Sequence, residues 1–245
     1  MAILWDYLVV NSNANLPQRT LDPARVAKRV AAYYTEGVGL LAKYPWPLDL
    51  PLNVKDSRNG LTRFLDATWP WDIGIFNVLG ATAKALPAGA RFGLYHPAPR
   101  SDGPHPHTAE VWIAYARNIL ALGVTDLMFD AQAREHPYDR FVVDCLRAEG
   151  LTVHVEPYDT WRPTCQECSP LTPGKGLELG IRQFEPDLSK HSNITALITD
   201  VAPTRDATLD YFKRWASLGC NVAVNVQGWF KQHGITAAEL LGLMK

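Results

Sequence analysis

Short apolar runs alternate with stretches of helical spacing along the chain. The runs at 3–10 (ILWDYLVV), 37–42 (GVGLLA), 72–79 (DIGIFNVL), 91–96 (RFGLYH), 126–129 (DLMF), 151–155 (LTVHV), 196–199 (ALIT) and 221–226 (NVAVNV) read as strands. Between them, helical spacing recurs at 25–34, 61–67, 81–86, 108–122, 138–147, 177–184, 207–218 and 236–244. Asp22-Pro23 supplies a cap and a first-turn residue for the first helix, and Gly123, Gly150 and Gly219 close three of the others.

Eight strands alternating with helices predict a (β/α)8 TIM barrel, with parallel strands inside and helices outside. Strands buried on both faces need to be short and apolar, as these are. The rival is an open doubly wound sheet, which carries a glycine-rich phosphate turn after its first strand. Here that turn reads NSNANLP and contains no glycine. No internal repeat, low-complexity segment or linker interrupts the pattern. Residues 1–245 are therefore expected to form one domain, with a long loop insertion at about 158–174.

Composition narrows the function classes. Of the 245 residues, 47% are hydrophobic and 20% charged, which is ordinary for a globular core. The net charge of −1 offers no basic surface for nucleic acid or an anionic membrane. No run of about 18 apolar residues is present to span a bilayer. The opening MAILWDYLVVN reads as a first strand and not as a signal peptide, so a cytoplasmic or particle-bound protein is expected.

Cys145 and Cys220 fall in apolar patterns and read as buried thiols. Cys165 and Cys168 form a lone C-x-x-C, compatible with a disulfide, free thiols or half of a metal site. His96, His105 and His107 share one Pro-rich loop, where they are either solvated or zinc ligands. His154 alternates with Val153 and Val155 and is expected to pack against a helix. PGKG at 173–176 lacks the upstream glycine and the following Ser or Thr of a phosphate loop. No metal or organic cofactor is expected.

The chemistry concentrates at strand ends. TDLMFDAQ, LTVHVEPY and TALITDVAP end their apolar runs on Asp130, Glu156 and Asp200. In a parallel barrel the C-terminal strand ends form the rim that carries active sites. Asn77, His96, Asn225 and Gln227 end other runs, and Trp161 and Trp229 follow shortly after two of them. Paired carboxylates suit proton transfer to and attack on a glycosidic bond, and aromatic faces suit sugar rings.

On LMFDA, VHVEPY, LITDVAP and the late NVQGW, the chain resembles glycoside-hydrolase-type TIM barrels. The resemblance implies a carbohydrate substrate or ligand, with Asp130, Glu156 and Asp200 catalytic. It also implies Asn77, His96, Trp161, Asn225, Gln227 and Trp229 as substrate-binding. Which acid protonates and which attacks stays open. ALITDVAP also looks like the late strand motif of glycerophosphodiester phosphodiesterases, but their His-Arg-Gly run after strand one is replaced here by Asn11-Ser12-Asn13. The alternative to an enzyme is a structural or receptor-binding barrel with protein partners in a larger assembly, such as a phage tail or capsid.

Overall fold

The computed structural model describes residues 2–9, 22–43, 70–96, 109–129, 137–155, 195–198, 201–217 and 219–245. Seven strands lie among them: β1 (Leu4–Val9), β2 (Val38–Lys43), β3 (Phe92–His96), β4 (Asp126–Phe129), β5 (Thr152–Val155), β6 (Thr195–Ile198) and β7 (Asn221–Val224). All their pairings are parallel, in the order β5-β4-β3-β2-β1-β7-β6. Sequence neighbours pair everywhere except between β5 and β6, and the first strand pairs with the last. That cyclic order is a barrel; a doubly wound sheet reverses direction instead.

The helices described are α1 (Pro23–Tyr33), α2 (Pro70–Ala85), α3 (Ala109–Ala121), α4 (Pro137–Ala148), α5 (Arg205–Ala216), α6 (Val226–His233) and α7 (Ala237–Leu243). Asp22 caps α1 by accepting from Ala24 N at 2.9 Å. Thr204 and Thr236 cap α5 and α7 in the same way. Gly123, just past α3, takes φ 91°, which a side chain would strain.

Alternation along each strand sorts the core into layers. Leu4 and Leu8, Leu40 and Ala42, Phe92 and Leu94, Leu127, Val153, Ala196 and Ile198, and Val222 and Val224 face the helices. Trp5, Tyr7, Leu41, Tyr95, Met128, Leu197 and Ala223 pack together inside the barrel. The interior is thus filled with side chains. Trp5 fits because β2 and β3 offer Gly39 and Gly93 beside it. A Cβ on Gly39 would lie 2.7 Å from the indole.

Two expectations are corrected. Residues 72–79, read as a strand, belong to α2, which runs unbroken to Ala85 and absorbs the separate helix expected at 81–86. A short apolar run fits a buried helix as well as a strand, and length decides between them. Buried Leu79 and the partly buried Ala83 and Leu86 recur at helical spacing on the face against the sheet. The run at 221–226 ends as a strand at Val224, and Val226 opens α6, which the sequence reading did not anticipate. The helices expected at 61–67 and 177–184, the loop at 158–174, Cys165, Cys168, His105 and His107 lie outside the described residues. No described helix is long and apolar enough to cross a membrane.

Candidate functional site

The rim acids Asp130, Glu156 and Asp200, and Trp161, lie outside the described residues. The strands that lead to them are described. β4 and β5 pair directly, Asp126 to Thr152 through Phe129 to Val155. β6 is joined to β5 by a side-chain bridge, Thr195 Oγ1 to His154 Nδ1 at 3.0 Å. His96 is the last residue of β3, in register with Phe129, so its backbone stands at the same end of the barrel. Asn77 is a residue of α2 and not of a strand end.

Just beyond β7 the residues expected on the rim are largely engaged. Asn225 caps α6, its Oδ1 accepting from Gly228 N at 2.9 Å and from Arg29 Nη2 at 2.9 Å. Gln227 Oε1 accepts from Arg29 Nη1 at 2.8 Å. Arg29 in turn grips Asp6 with Nε and Nη2. Tyr34 Oη and Val226 N donate to the same carboxylate at 2.8 and 3.0 Å. Burial alone would lower the Arg29 pKa, but the Asp6 hydrogen bonds and charge outweigh it and hold it above the ordinary value. Burial first, and then the Asp6 charge, push the Tyr34 phenol well above its ordinary range. Asn225 and Gln227 therefore turn their oxygens inward as part of a brace between β1, α1 and α6.

Trp229, expected as a sugar platform, is 1% exposed and packs edge-on against Phe212 at 6.1 Å. Its place on the inner face of α6 makes it core. On α1 and α6, Tyr33 and Phe230 bring an aromatic pair toward the surface, at 5.5 Å between centroids.

A second constellation occupies the opposite end, at the N-terminal starts of the strands. Arg91 donates to both oxygens of Asp126 through Nε and Nη2. Thr125 Oγ1 donates to Asp126 Oδ2 at 2.6 Å. His154 Nε2 lies 2.6 Å from Asp126 Oδ1. The carboxylate only accepts, so Nε2 carries the proton and Nδ1 is bare. Nδ1 then accepts from Thr195 Oγ1 and, at 3.4 Å, from Asn221 Nδ2. Asn221 Oδ1 accepts from Ile3 N at 2.8 Å, which fixes the amide's orientation. His154, expected against a helix, instead points into the barrel, edge-on to Trp5 at 5.5 Å. The error came from parity: Val153 packs under the helices, so its neighbour faces inward.

These groups satisfy one another, and Asp126, His154 and Thr195 are at most 1% exposed. They plug the base of the barrel. An open cleft of about 590 Å³ lies nearby, between the starts of β1–β3 and the end of α7, with Gly37, Gly39, Gly89 and Arg91 among its walls.

Sequence reading missed both buried carboxylates. The signal was present: Asp6 interrupts an apolar strand, and Arg29 lies on the helix face shared by Val26. A buried acid requires a partner, and this was the nearest arginine on an inward face.

These features define a (β/α) barrel with a closed base and a rim at the C-terminal strand ends. No protein-family model matches the chain. No curated protein matches it either. Among solved structures it is similar to the carboxyl transferase domain of Rhizobium etli pyruvate carboxylase. A variant of that domain with pyruvate gives a TM-score of 0.53 at 12% identity, covering 99% of this chain and 38% of that one. The domain with oxamate and biotin gives 0.51 at 14%, covering 91% and 35%. A pyruvate carboxylase variant with acetyl coenzyme A gives 0.52 at 13%, covering 99% and 21%. This chain thus spans little more than a third of those chains at most, and the likeness is one of fold.

Proposed function

We propose that the barrel binds and hydrolyses carbohydrate at its C-terminal rim, with Asp130, Glu156 and Asp200 as the working acids. The observation that carries the reading is strand order. Asp130 follows Phe129 of β4, Glu156 follows Val155 of β5, and Asp200 comes two residues after Ile198 of β6. Three successive strands of one barrel are each followed by an acid within two residues. The base is filled by a self-satisfied network, which leaves the rim for chemistry.

In this reading one acid protonates the leaving glycosidic oxygen, and a second attacks the anomeric carbon or deprotonates a water. The third orients hydroxyls. His96 and Trp161 are assigned further contacts with the sugar, and Asn225 offers an amide nitrogen while its oxygen stays on Arg29. Tyr7 and Tyr95, 5.7 Å apart, form an aromatic layer in the barrel interior.

The test is hydrolysis of a panel of aryl glycosides and oligosaccharides by the full chain, alongside Asp130→Asn, Glu156→Gln and Asp200→Asn. Activity on at least one sugar is expected. It should fall by roughly 10²–10⁴-fold when the acid or the nucleophile becomes an amide. A folded protein that neither hydrolyses nor binds any of the panel overturns the proposal.

A further inference from the structure

The hydrogen-bonded series of strands begins at β5 and ends at β6, and no backbone ladder joins these two strands among the described residues. His154 spans the seam. It reaches from β5 to Thr195 of β6 and Asn221 of β7 through one ring nitrogen, and to Asp126 of β4 through the other. We propose that His154 is a proton-operated latch: the neutral imidazole holds β5 to β6 and β7, and protonation breaks its hold on β7 and loosens the seam.

The argument rests on which partners can adapt. A protonated ring has two donors and no acceptor. Asp126 accepts from Nε2 in either state. The Thr195 hydroxyl can rotate and accept from Nδ1 instead of donating. Asn221 cannot adapt. Its Oδ1 is held by Ile3 N, so its amide nitrogen stays aimed at Nδ1. Turning the amide over would present a donor to the Ile3 N–H, so one buried polar contact is lost either way, and an unmade buried bond is costly. Protonation thus sets donor against donor between β5 and β7.

Among the described residues, the charged groups that act on the ring are Asp126, Arg91 and Arg147. Burial is the main influence and lowers the His154 pKa, opposed by the hydrogen bond to Asp126 and its charge. Arg91, leading into β3, and Arg147, on α4, add to the lowering. From β1 the Trp5 ring meets it edge-on. A depressed pKa in the folded state means that the unfolded chain binds the proton more readily. The seam therefore keeps its full stability above the ordinary histidine value of about 6.5. It loses stability as pH falls below that value and through the folded pKa. The latch does not depend on what the rim binds.

The test is hydrogen exchange of the full chain between about pH 7.5 and 5, the histidine range, with protection corrected for intrinsic rates. Imidazole nitrogens are followed by NMR in histidine-labelled protein. Protection of β5 and β6 should fall severalfold with acid while β2 and β3 hold. His154 should lose its bare Nδ1 in step with that loss of protection. Asn221→Asp supplies an acceptor for Nδ1–H while retaining the bond to Ile3 N, so it should abolish the acid loss. His154→Gln should be insensitive to pH. The proposal fails if the wild-type seam keeps its protection at pH 5, if β2 and β3 loosen equally, or if Asn221→Asp leaves the acid loss unchanged.

Discussion

Asp6 and Asp126 are both 0% exposed, on opposite faces of one sheet. Asp6 faces the helices and Asp126 faces the barrel interior. Each takes a two-pronged arginine and two further donors, so all four acceptor positions of the carboxylate are used. For Asp6 the further donors are the Tyr34 hydroxyl and the Val226 amide. For Asp126 they are the Thr125 hydroxyl and the His154 ring. The designs match until protons are considered. Every donor to Asp6 keeps its proton across the physiological range, whereas the His154 ring can take up a second proton as pH falls, at a pKa that burial lowers. A difference of one donor type makes one cluster a fixed brace and the other a pH-dependent joint.

Removing the carboxylates separates the clusters most sharply. Asp6→Ala leaves Arg29, whose side chain is 9% exposed, charged and unpaired inside the protein. It should cost about 3–5 kcal/mol in urea unfolding, the range for breaking a buried pair. Asp126→Ala should cost less, about 1–3 kcal/mol, because its main debt is the unmet His154 donor. Arg91 is 36% exposed there and can turn to water. Equal losses would mean that Arg29 also escapes to solvent. Replacing both partners, as Asp6→Leu with Arg29→Met, should recover most of the Asp6→Ala loss, since an apolar pair leaves no orphaned charge.

Gly39→Ala probes the base by volume instead of charge. The new methyl would sit 2.7 Å from the Trp5 ring, which is enclosed by Gly39, Gly93 and His154. Overpacking of this kind should cost about 1–3 kcal/mol. Gly242→Ala in α7 meets nothing within 4 Å and should cost nothing, which makes it the control for chemical denaturation.

The barrel was legible in the sequence because alternation and strand spacing survive in seven of the eight expected strands. Residues 72–79 misled because a short apolar run carries no period that distinguishes a strand from a helix. The polar interior was not legible. Asp126, His154, Thr195 and Asn221 stand on four different strands, and only the closed sheet brings them together. Asn225 does stand just past the end of β7, but strand-end position could not show that its side chain caps a helix. The cap signals were there to read: Asn225 before VQGWFKQH, cations in the last turn, and Gly234 beyond it at φ 66°.

Asn225 offers the smallest effect and the finest discrimination. As cap and Arg29 acceptor it belongs to the brace; as a sugar contact it would serve the rim. Asn225→Ala removes both bonds from its oxygen and should cost about 1 kcal/mol, the worth of a cap, or roughly 2–4 °C in Tm for a chain of this size. Asn225→Asp keeps an oxygen for Gly228 N and for Arg29, and adds negative charge at the start of α6, where the helix dipole favours it. It should recover the lost Tm. A sugar contact made by the amide nitrogen would still be missing from the aspartate variant. Full recovery of Tm with ligand affinity still reduced therefore assigns the oxygen to the brace and the nitrogen to the rim. Recovery of both makes Asn225 a helix cap alone.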